Sequence, residues 1–139
     1  IRISPDVWDH YFQLALAFNR CSRHERAIVN YRQALKIKPD SALLHTHLGR
    51  SLFLISNYGD AEVELRAALD IDANYALAQY NLAIVLTEKD MLEEAIDLLK
   101  QVIQSESRFA RLAKAEPGFR KLLSRPEFEK MTDIEEEDE

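Results

Sequence analysis

The sequence predicts an all-α protein, a solenoid of antiparallel helix pairs, and three observations carry that expectation. Shifted by 34 residues, the chain superposes on itself three times. Leu14, Leu48 and Leu82 align, as do Ala15, Gly49 and Ala83, then Phe18, Leu52 and Leu86, then Ala27, Ala61 and Ala95. A fixed period of this size marks stacked helical repeats, which offer a surface rather than a reaction centre. Within each unit the apolar residues follow the helical period, as in Tyr11, Leu14, Ala15 and Phe18 at i, i+3, i+4 and i+7. Short polar stretches then divide the helices: Cys21–His24, Ser56–Asp60 and Glu88–Asp90.

In chain order, helices are expected near 7–20, 24–37, 42–55, 58–71, 76–88 and 91–104, and no strand is expected. Asp60, following Gly59, and Asp90 are expected to cap the second helices of their units. Pro39-Asp40-Ser41 and Ala73-Asn74 act as stop and restart signals between units. Small residues at Ala15, Gly49 and Ala83, facing Ala27, Ala61 and Ala95, let the two helices of a pair approach closely.

The spacing inside each unit reads Tyr11-x2-Leu14-Ala15-x2-Phe18, Ala27-x3-Tyr31 and Pro39. The second reads His45-x2-Leu48-Gly49-x2-Leu52, Ala61-x3-Leu65 and Ala73, and the third Gln79-x2-Leu82-Ala83-x2-Leu86, Ala95-x3-Leu99 and Ser107. Over roughly residues 6 to 107 the chain therefore resembles tetratricopeptide repeat proteins, whose pattern is W-x2-L-G-x2-Y, A-x3-F and P. Tyr11, His45 and Gln79 replace the tryptophan, and units two and three lack the terminal proline. The resemblance implies a right-handed superhelical solenoid that binds other proteins. The expected organisation is units at 6–39, 40–73 and 74–107, capping helices at 108–131 and a disordered acidic tail at 132–139.

Residues 1–5 look like the end of a preceding repeat, because Ile1, Ile3, Pro5 and Asp6 fall 34 residues before Leu35, Ile37, Pro39 and Asp40. We expect a fragment of a longer protein; the alternative is a processed terminus whose Pro5-Asp6 caps the first helix. At the other end Pro117 and Pro126 break the period. The apolar residues Phe109, Leu112, Phe119, Leu122, Leu123 and Phe128 suit a terminal cap on the helix carrying Leu98, Leu99, Val102 and Ile103. A separate docking motif is the alternative. The six acids between Asp133 and Glu139 account for the whole net charge of −6 and leave the body neutral. An acidic peptide for a basic partner is the sharper reading of that tail, and solvated disorder the expected one.

The 139 residues, 47% of them apolar, suit one domain. The single Cys21 forms no internal disulfide; it lies between Arg20 and Arg23, which would favour a thiolate, but is expected to serve as a small buried residue. No apolar run is long enough to insert in a membrane, and a cytoplasmic setting is expected. His45 and His47 point about 200° apart around a helix and cannot share a metal ion. There is no glycine-rich phosphate loop and no nucleophile–base constellation, so no cofactor and no enzyme activity are expected. A neutral body without a basic stripe argues against nucleic acid.

What remains is the concave face. The resemblance places the first helix of each pair along the groove. Helical spacing from the packing residues then selects Phe12, Leu16 and Asn19 from unit one, and Leu43, Thr46, His47, Arg50 and Phe53 from unit two. Unit three supplies Leu77, Tyr80, Asn81 and Ile84. Apolar residues on such faces mark an interaction site for a peptide or helix. The alternative is that another repeat, the cap or a second copy of the chain covers them, which makes the protein a self-assembling element. Chaperone-binding members of the family grip two carboxylates with lysines, asparagines and an arginine. Phe12, Leu16, His47, Leu77 and Asn81 stand at those places, which argues against that mode here.

Overall fold

The computed structural model describes residues 7–133. Six long helices come first: α1 (Val7–Arg20), α2 (His24–Ile37), α3 (Ala42–Leu54), α4 (Tyr58–Ile71), α5 (Ala76–Glu88) and α6 (Leu92–Ser105). They lie within a residue of their expected bounds. A shorter helix α7 (Arg108–Ala115), a 3₁₀ segment Pro117–Leu122 (the strap) and α8 (Pro126–Thr132) follow. No strand occurs among the described residues. Each helix packs on its neighbours in the chain, as a solenoid requires.

The close approach within pairs rests on the small residues. Ala15, Ala27, Ala61, Ala83 and Ala95 are all fully buried. A β-carbon on Gly49 would lie 2.7 Å from Leu65 Cγ and 3.3 Å from the Ala61 carbonyl oxygen. The turn inside each pair repeats as strictly as the helices do. Ser22, Ser56 and Asp90, again 34 apart, adopt left-handed φ values of 58°, 64° and 62°. The following amide then donates back to the helix end at 2.9 Å: Arg23 to Phe18, Asn57 to Leu52 and Met91 to Leu86.

The caps differ from expectation. Asn57, not Asp60, caps α4 by accepting from the Asp60 amide, while Asp90 is the left-handed residue that ends the turn before α6. Ser41 caps α3 by accepting from the Leu44 amide. Cys21 is exposed rather than buried, because it follows the last residue of α1 where the chain turns outward.

The period also shows how units stack. Leu48 and Leu82 are each 1% exposed, pressed against the preceding pair, whereas Leu14 at the same place in unit one is 47% exposed. At the far end α7 and α8 pack on α6, as expected of a cap. The strap goes elsewhere and lies along α5. Residues 1–6 and 134–139, including most of the acidic tail, fall outside the described residues.

Candidate functional site

The concave face is built from α1, α3 and α5, and the structure divides it. At the α5 end the chain fills its own groove. Gly118 presses on Ile84, where a β-carbon would meet Ile84 Cγ2 at 2.5 Å. Phe109 and Phe119 close on the Tyr80 ring at centroid distances of 5.1 and 5.5 Å. Ile84 is thus fully buried, and Tyr80 and Asn81 nearly so. Burial, reinforced by the Glu116 carboxylate, pushes the Tyr80 hydroxyl well above its usual range, so it stays a donor. The Asn81 amide donates to the Leu77 carbonyl at 3.0 Å.

Two further expected groove residues serve the fold. Asn19 donates to Tyr31 Oη and Ser51 Oγ, and its carbonyl lies 2.9 Å from His24 Nδ1. It ties α1, α2 and α3 together. Thr46 is fully buried, its hydroxyl donating to the Ala42 carbonyl at 2.7 Å. Ile84, Asn19 and Thr46 therefore do not present a free surface to a ligand, because their side chains are already engaged.

The open part lies on α1, α3 and the near edge of α5. Leu16, Leu43, His47, Arg50, Phe53 and Leu77 are half-buried there, over a floor made by Phe12. His47 stacks on Tyr31 at 5.8 Å and meets Phe12 edge-on at 5.2 Å. Burial holds its imidazole below the usual range, which keeps it neutral near pH 7. Arg50 lies over the Phe53 ring at 5.3 Å, and its Nη2 is 3.6 Å from Glu116 Oε2. Its Nη1 is buried without a hydrogen-bond partner. The Arg50–Glu116 pair separates two clefts. One of about 250 Å³ is walled by His47, Leu77 and Tyr80, the other of about 440 Å³ by Phe53, Leu54 and Pro117.

Glu116, Gly118, Phe109 and Phe119 shape this site and were not among the expected residues. Their signal was nonetheless present. Glu116 precedes a proline in the first turn and accepts from the Gly118 amide, a cap. A lone glycine between apolar residues also marks a close approach.

Two family models match the chain, one described as a TPR repeat over residues 15–56 and one as a tetratricopeptide repeat over residues 52–116. The chain belongs to the tetratricopeptide repeat family. A curated relative, the human protein O-mannosyl-transferase TMTC3, is 35% identical over 68% of this chain. The chain spans only 10% to 13% of the length of the first relatives it matches. Among solved tetratricopeptide folds, MamA superposes with a TM-score of 0.76 at 21% identity, covering 93% of this chain and 76% of that one. The second TPR of Spaghetti (RPAP3), bound to the HSP90 peptide SRMEEVD, gives 0.69 at 22% identity, covering 72% and 93%.

His45 is held apart from His47, its Nδ1 2.7 Å from Glu64 Oε2 and its Nε2 2.9 Å from the Pro39 carbonyl. Among the described residues no three His, Cys, Asp or Glu side chains gather as metal ligands, and no helix is long and apolar enough to cross a membrane.

Proposed function

We propose that the chain is a protein-interaction module, not an enzyme, which receives a peptide or amphipathic helix of another protein on the open part of its groove. The observation that carries this reading is the cluster of Leu16, Leu43, Phe53 and Leu77 around Arg50 on a concave surface that the strap stops short of covering. Apolar side chains gathered in a concavity gain free energy when a partner excludes water from them. The Spaghetti repeat, a structural neighbour, is bound to a peptide. Phe12, Leu16, His47, Leu77 and Asn81 at the carboxylate-gripping places point this chain to a different, less acidic ligand.

The test is affinity capture by the wild-type chain, by Phe53→Ala and by Arg32→Ala, with captured proteins quantified by mass spectrometry. Phe53 lies in the groove and Arg32 is exposed on α2. Aromatic anchors at interfaces contribute about 2 kcal/mol or more, so partners lost with Phe53→Ala and retained with Arg32→Ala support the groove. The opposite pattern moves the site to the outer face.

A second reading rests on a separate observation. Leu14 is 47% exposed where its counterparts are buried, and Trp8, Tyr11 and Phe18 on the same helix are half-buried. That face would pair with another copy of the chain. Concentration-dependent light scattering that disappears in Leu14→Glu would support self-assembly; scattering of a monomer at all concentrations would remove it.

A further inference from the structure

The groove's most unusual polar atom is Arg50 Nη1, buried and without a hydrogen-bond partner among the described residues. Leaving a charged donor unpaired in a desolvated place is costly, so its partner is worth seeking. Glu116 does not supply it. Its Oε2 stands 3.6 Å from the other nitrogen, Nη2, beyond ordinary hydrogen-bond length. Its Oε1 is already accepting from the Gly118 amide at 3.2 Å.

The charge around Arg50 selects among acceptors. Arg50 and Glu116 cancel one another across the cleft of about 250 Å³. His47 adds no charge, being held neutral by burial. An incoming carboxylate would therefore meet Glu116 at close range, with no second cation to offset it. A neutral carbonyl meets no such repulsion and still satisfies a guanidinium nitrogen. Leu77 on one side of Arg50 and the Phe53 ring beneath it add apolar surface for a flanking side chain.

We propose that Arg50 reads a main-chain carbonyl of an uncharged, apolar partner segment lying extended in the cleft between α3, α5 and the Glu116–Gly118 turn. This rests on the groove reading above and narrows it to one ligand chemistry. The guanidinium is the specific element, because its planar fork can hold Glu116 loosely with one nitrogen and offer the other to the ligand.

The test uses the full chain and two small probes, N-acetyl-leucine methylamide, which carries two neutral amides, and N-acetyl-leucine, which ends in a carboxylate. Each is titrated while the Arg50 side-chain and the Leu77 and Tyr80 amide signals are followed by NMR. The expected result is saturable shifts with the methylamide and no tighter binding of the carboxylate. Arg50→Lys, which keeps the charge but loses the fork, and Arg50→Gln should each weaken the methylamide about tenfold. Absence of saturable shifts, or unchanged binding by both variants, overturns the proposal. Tenfold tighter binding of the carboxylate also overturns it, in favour of an acidic ligand. Should the probes fail while Phe53→Ala still abolishes partner capture, the groove reading survives and only this inference falls.

Discussion

Gly118 of the strap rests directly on Ile84 of α5, so close that a β-carbon would come within 2.5 Å of Ile84 Cγ2. This contact seats the C-terminal segment in the groove rather than beyond it. Gly118→Val should cost about 1–3 kcal/mol through overpacking. Gly49→Leu should cost at least as much, since Leu65 Cγ and the Ala61 carbonyl stand 2.7 and 3.3 Å from a β-carbon there. Gly59→Ala is the control, because nothing lies within 4 Å of its β-carbon position and α4 gains a better helix former. Urea unfolding of the three variants checks the order.

Leu14, Leu48 and Leu82 share one place in the repeat and differ only in what covers them. Leu48→Ala and Leu82→Ala remove fully packed side chains and should each cost about 2–5 kcal/mol. Leu14→Ala removes one that is 47% exposed and should cost under about 1 kcal/mol. Equal losses at all three positions would show that something covers α1 in solution.

His47 makes stability depend on pH in a definite direction. Burial depresses its pKa from the usual 6.5, so below that value the unfolded chain takes up a proton that the native fold resists. The stability tied to this group is complete above pH 6.5 and is lost as the pH falls toward the depressed native value. Wild type should therefore lose more stability between pH 7.5 and 5.5 than His47→Gln does, and differential unfolding at the two pH values measures this. A larger loss in the variant would reverse the sign and refute the burial argument.

The helices were legible because their apolar period, small-residue pairs and turns recur every 34 residues, each reinforcing the same register. The turn geometry was less so. Nothing in Ser22, Ser56 or Asp90 announces a left-handed φ, which glycine usually takes, and only their equal spacing ties them together. The open half of the site was legible for the same reason as the helices: Leu16, His47, Arg50 and Phe53 lie at fixed offsets from packing residues. The α5 half was not, because what covers it comes from the aperiodic segment. One sign was available. Ala76–Glu88 carries Leu77, Tyr80, Leu82, Ile84, Val85 and Leu86 around its whole circumference, and a helix apolar on all sides is buried on all sides. Glu64, by contrast, reads as a solvated outer residue but is committed to His45.

The division of the groove is tested most directly by thiol accessibility. In a Cys21→Ser chain, Leu54→Cys and Ile84→Cys place single thiols at positions that are 43% and 0% exposed. Under native conditions the thiol of Leu54→Cys should react at close to the rate of the unfolded chain. That of Ile84→Cys should react at least ~100-fold more slowly, limited by opening of the strap. Equal rates at the two positions would mean that the strap does not occupy the α5 end, and that the groove is open along its full length.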